Sequence, residues 1–162
     1  MTIRSPARRE FHGQSRARGI AVVEFVICAP FLLLLMLAAT EVGRAFIHYA
    51  TLTYSVRQGA RYVSEHSING TTGVVSLTAT TIAEARNLAV YGNVLGTGSP
   101  KLPNYQTSQL QIVNVGGGNV RITATYPYQP MFGSAMPNVG FGSGSFALGF
   151  NMQTAVTLRA IS

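Results

Sequence analysis

Aspartate and tryptophan are missing from this chain, and cysteine occurs once, as Cys28. A lone cysteine excludes an intrachain disulfide, and one set in an apolar run behaves as a small hydrophobe. Charge is scarce: 10% of the 162 residues are charged, against roughly 25% in a typical soluble domain. The five carboxylates, Glu10, Glu24, Glu41, Glu65 and Glu84, fall one to a region, so no pair is poised for acid–base work. His12, His48 and His66 lack metal-ligand spacing, and no serine has a plausible pair of histidine and acidic partners for nucleophilic catalysis. These absences argue against an enzyme, a metal site or a bound cofactor. Gly140-Phe141-Gly142-Ser143-Gly144 resembles a phosphate loop only superficially, since no lysine accompanies it and no helix follows. The net charge of +7 does not indicate nucleic acid either. Arg4, Arg8, Arg9, Arg16 and Arg18 against Glu10 put 5 − 1 = +4 of it before Ile20, and the remaining cations are scattered.

What is present is a membrane-length apolar run behind a basic leader. Residues 20–40, IAVVEFVICAPFLLLLMLAAT, contain one charge, Glu24. As a helix they span about 31 Å at 1.5 Å per residue, matching a hydrocarbon core of about 30 Å. The upstream arginines place the N-terminus in the cytoplasm and everything after Thr40 outside. Pro30 removes one helical hydrogen bond and predicts a bend.

A carboxylate within such a run is costly and needs a function or a partner. Gly19 closes the leader and Ile20 opens the run, so Glu24 would be residue five of a chain cut between them. This arrangement suggests a substrate of a prepilin-type peptidase, which removes the leader on the cytoplasmic side and keeps the helix in the membrane. The freed Ile20 amine then neutralises Glu24 of its own chain or of a neighbour, with Phe25 beside it. An uncleaved anchor displaying a binding ectodomain explains the run and the leader, but neither Gly19 nor Glu24. A secretory signal peptide fits poorly, because Leu37 or Met36 would occupy the −3 position. Arg8-Arg9-Glu10-Phe11 resembles a twin-arginine core, yet two further arginines intervene before the apolar run.

Beyond Thr40 no turn cluster occurs before Asn69-Gly70. Val42, Ala45, Tyr49, Leu52, Val56, Gly59 and Val63 recur at steps of three and four, an apolar stripe for packing on the protein's own domain or on other subunits. Arg57 and Arg61 share another face, with Glu65 one turn beyond Arg61. A helix over 20–67 would be about 72 Å long. His48 and Tyr49 are expected near the outer membrane–water boundary.

Residues 68–162 read as a small α+β unit. Thr81 and Glu84 form a candidate capping box, with Ile82, Ala85, Leu88 and Ala89 on one helical face and Gly92 ending the helix. Leu110–Val115 is a strand that turns at Gly116-Gly117-Gly118. Val120, Ile122, Ala124 and Tyr126 then alternate with polar residues until Pro127 and Pro130. A last strand sets Phe146, Leu148, Phe150, Met152, Val156 and Leu158 on one face, and the loop from Pro127 to Gly144 is a candidate for partner binding. The economical fold is α+β: a long N-terminal helix packed on a three-stranded antiparallel sheet, with one short extra helix. The divisions are a leader (1–19), a transmembrane segment (20–40), an extension of the helix (41–67) and an extracytoplasmic domain (68–162).

The ordered set Arg18-Gly19, Glu24-Phe25, Pro30, the leucine run, Glu41 with Gly43-Arg44, and Gly59-Ala60-Arg61 resembles the TadE-like family of tight-adherence (Flp) pilus systems. The resemblance implies a pilin-like minor pseudopilin of the bacterial inner membrane. It implies processing at Gly19 by a prepilin peptidase, with other pilin or pseudopilin subunits and the pilus assembly machinery as partners. Longer relatives carry a von Willebrand A-type domain. This chain is too short for one and, lacking aspartate, cannot supply its metal motif, so it resembles the short TadE or TadF type.

Overall fold

The computed structural model describes residues 14–68, 75–131, 135–137, 145–147 and 149–160. Chain contacts divide the protein into two units, Met1–Thr40 and Glu41–Ser162.

The first unit is the N-terminal part of helix α1, Gln14–His66. The helix starts in the leader rather than at Ile20, because Gln14 to Arg18 contain no breaker to stop a helix propagating backwards from the apolar run. It is assigned without interruption across Pro30. The residues of the run are almost all exposed, as expected of a segment whose solvent is lipid. This is one helix long and apolar enough to cross a membrane.

The second unit is built on the rest of α1. Helix α2 (Ala79–Tyr91) and the sheet strands β1 (Leu110–Gly116), β2 (Asn119–Tyr128) and β5 (Phe150–Arg159) complete it, with a separate pair β3 (Ala135–Pro137) and β4 (Ser145–Ala147). The three-stranded sheet is antiparallel with order β1-β2-β5, and the fold is the expected α+β. Three consecutive positive φ angles, +86° at Gly116, +60° at Gly117 and +77° at Gly118, turn β1 into β2. That turn is affordable only to glycine. In β2, Val120, Ile122, Ala124, Tyr126 and Tyr128 all point inward. They meet Leu52, Val56, Ala60 and Val63 of α1 and Ala85, Ala89 and Val90 of α2 in one core.

Several sequence expectations need correcting. The N-cap of α2 is Thr78, whose hydroxyl accepts from the Thr81 amide at 3.1 Å; Thr81 lies inside the helix. Glu84 reaches α1 instead, accepting a 2.8 Å hydrogen bond from the Tyr62 hydroxyl. Ile82 and Leu88 are only half-buried, and Val90 takes their place in the core beside Ala85 and Ala89. Gly92, with φ +83°, caps the end as expected. Strand β2 runs through Pro127. Its pairing with β1 ends at Ala124, so a proline beyond that point is next to an open edge and costs no ladder bond on that side. The last strand is two strands, β4 and β5. Gly149 lies between them, and Leu148 falls outside the described residues. The expected loop from Pro127 to Gly144 contains β3, and its residues 132–134 and 138–144 likewise lie outside them.

Candidate assembly and membrane-proximal surfaces

Gly19 lies within α1, and a Cβ added there meets nothing within 4 Å. Its own fold therefore places no demand for glycine at that position. Ile20, Glu24 and Phe25 are exposed on the same helix, and Glu24 is one helical turn beyond Ile20. No ion pair among the described residues involves Glu24.

The apolar stripe divides. Leu52, Val56 and Val63 are fully buried in the protein's own core. Gly59 is buried against α2: an added Cβ would lie 3.1 Å from the Ala85 carbonyl oxygen and 3.3 Å from the Ala89 methyl. Val42, Ala45 and Tyr49 are different. With Phe46, Phe150 and Met152 they line an apolar groove of about 310 Å³.

Beside the first half of the stripe runs a polar seam that sequence reasoning missed. The Tyr128 hydroxyl donates to the Glu41 carboxylate at 2.5 Å, and the Met131 amide donates to the same oxygen at 3.2 Å. Arg44, one turn on from Glu41, is 3.9 Å from that oxygen, and its guanidinium carbon lies 5.9 Å from the centre of the Tyr128 ring. His48 is buried, edge-on to Tyr128 with ring centres 5.3 Å apart. The Tyr126 hydroxyl donates to the Pro103 carbonyl at 2.9 Å and lies 3.4 Å from His48 Nδ1. Burial holds the His48 imidazole below its ordinary pKa; Arg44 pushes the same way and Glu41 opposes. Burial, then the bond to Glu41, pushes the Tyr128 phenol up to about 12. The seam joins the first turns of α1 in this unit to the far end of β2.

A second cleft is lined by Tyr54, Arg57, Gln58, Arg61 and Tyr62, with Arg61 paired to Glu65 at 2.9 Å. Beside it Lys101 donates to the Gln58 side chain and to the Leu88 carbonyl, closing the C-terminal end of α2. Burial lowers the Lys101 pKa. Among the described residues no cluster of three or more His, Cys, Asp or Glu side chains could hold a metal ion.

No curated protein and no solved structure matches this chain. A family model does, over residues 19–61, and its description is TadE-like protein. The matched stretch opens on Gly19 and closes on Arg61, taking in Glu24, Glu41, Arg44 and Gly59. From Gly19 to Arg61, then, this chain is similar to the TadE-like family.

Proposed function

We infer that the protein is a membrane-anchored minor pseudopilin of a tight-adherence pilus, processed between Gly19 and Ile20 and retained in the inner membrane by residues 20–40. The observation that carries this reading is that the family match begins at Gly19, directly ahead of the apolar helix, at a glycine with open space around its Cα. A glycine that packing does not require points to a demand from outside the fold, and a peptidase that reads the residue before its cut supplies one. Cleavage creates a positive amine at Ile20 one turn from Glu24, which removes the cost of an unpaired carboxylate in lipid. The same pairing, made with a neighbour's Glu24, would set register in an assembly, with Phe25 packing alongside.

The lower half of the stripe, Leu52 to Val63, then mounts the ectodomain on its own helix. The protein acts with other pilin or pseudopilin subunits and the assembly machinery, as a structural part and not a catalyst.

An uncleaved anchor keeps support from one feature: α1 is helical from Gln14, so the Gly19–Ile20 bond lies inside a helix that must open before it can be cut. Intact mass of the chain, produced with and without a prepilin peptidase, separates the two. Processing predicts a peptidase-dependent start at Ile20, abolished by Gly19→Val, a change the open surroundings accommodate. A chain that keeps its leader in both cases refutes the pseudopilin reading and leaves an anchored ectodomain.

A further inference from the structure

The groove is lined by Val42, Phe46, Tyr49, Phe150 and Met152; no covering side chain is found among the described residues of the second unit, and Phe46 and Phe150 are 69% and 52% exposed. Large apolar groups left bare together mark an interaction surface. Its place in the chain identifies the partner. Glu41 is peptide-bonded to Thr40, the last residue of the membrane-length segment. Along α1, Val42 is about 1.5 Å and Phe46 about 7.5 Å beyond Glu41. The polar interface on one side of a bilayer is roughly 5–8 Å deep. From Val42 to Val56 the sequence contains a single charged residue, Arg44, and its guanidinium is drawn back over Tyr128. His48 is buried.

We propose that the Val42–Phe46 end of this groove lies in the outer headgroup region of the bilayer, so that the ectodomain docks on the membrane surface through Val42, Phe46, Met131 and Phe150. Aromatic side chains are the type that settles at this depth, with rings toward the acyl chains and polar edges toward water. The Glu41–Tyr128–Met131 bonds hold β2, and through it Phe150 of β5, at the same end of the domain as Glu41. The proposal rests on the membrane reading of residues 20–40, though not on cleavage at Gly19.

The chain contains no tryptophan, so single replacements give unambiguous fluorescent probes. Phe46→Trp, Tyr54→Trp and Leu33→Trp variants of the full chain are reconstituted in phosphatidylcholine vesicles at about one protein per vesicle, with and without bromine on the lipid acyl chains. Docking predicts that Trp at 46 emits to the blue, loses most of its intensity to brominated lipid and resists aqueous iodide. Trp at 54, exposed and about 20 Å beyond Glu41, behaves oppositely. Trp at 33 quenched by lipid, with Trp at 46 open to iodide, overturns docking and leaves the span intact. Protection of Trp at 46 from both quenchers also overturns it, since protein and not lipid would then cover the groove. Failure of lipid to quench Trp at 33 overturns the membrane reading itself, and docking with it.

Discussion

Replacing Tyr128 with Phe removes one hydroxyl from an otherwise unchanged ring, and so tests the seam that fastens the sheet to the start of the ectodomain helix. That hydroxyl donates to the Glu41 carboxylate at 2.5 Å, and the Glu41 side chain is only 15% exposed. Hydrogen bonds to a charged group contribute about 1.5–3 kcal/mol, and more is lost when a buried charge is left short of partners. Glu41 keeps the Met131 amide at 3.2 Å and Arg44 at 3.9 Å, which places the expected loss at the lower end, about 1.5–2 kcal/mol. For a domain of this size that lowers the thermal midpoint by about 4–8 °C. The assay is thermal unfolding of the full chain in detergent, followed by near-ultraviolet circular dichroism of the tyrosines. A cycle with Glu41→Ala isolates the pair, and a coupling of about 1 kcal/mol or more is expected of groups in direct contact. A Tyr128→Phe loss under about 0.5 kcal/mol with no coupling would refute the argument that this bond holds the two elements together.

Two further outcomes follow from the same geometry. Gly59→Leu is expected to destabilise by about 1–3 kcal/mol, because even a Cβ meets Ala85 and Ala89 at 3.1 and 3.3 Å. Gly43→Ala, with nothing within 4 Å, should instead stabilise the helix by about 0.5–1 kcal/mol; equal effects at the two sites in thermal unfolding would contradict the packing. His48 has a folded pKa below its ordinary 6.5, with burial the main cause. Below pH 6.5 the unfolded chain therefore binds the proton more readily, and the stability present above 6.5 is lost as pH falls through the lower folded value. Thermal midpoints should drop from pH 7.5 to pH 5.5, and His48→Gln should flatten that slope; an unchanged slope in the variant would exclude His48 as its source.

The parts legible in the sequence are those encoded by neighbours along the chain. The membrane helix follows from an apolar run with one charge, the β1–β2 turn from three consecutive glycines, and the inward face of β2 from strict alternation. What the sequence conceals is decided by residues far apart. Thr81 with Glu84 satisfies the local pattern of a cap as well as Thr78 does, but Glu84 finds Tyr62 of α1 across the fold, and the helix begins earlier. The seam likewise pairs Glu41 with Tyr128 and His48 with Tyr126, separations of 87 and 78 residues that no spacing rule reaches. Pro127 looks like a stop until one knows that β1 has already ended beside it.

The stripe from Val42 to Val63 shows how one periodicity can serve two surroundings. Steps of three and four specify which side of a helix is apolar, but not what that side meets. The division follows from the size of the domain. The sheet and α2 together cover Leu52, Val56, Gly59 and Val63, whereas Val42 and Tyr49 line the groove with Phe150 and Met152 of β5. Where the protein's cover runs out, the buried members of the stripe give way to aromatic and exposed ones, and the charge-poor stretch persists back to Glu41. A helix surface that remained solvated there would be expected to resume charge, as α1 does at Arg57, Arg61 and Glu65. It does so only about 24 Å beyond Glu41 along the helix, past the depth of a bilayer interface. The composition of α1 therefore changes at two places, at Glu41, where the membrane-length run ends, and at Arg57, where charge becomes frequent again, and the ectodomain's own core begins at Leu52 between them.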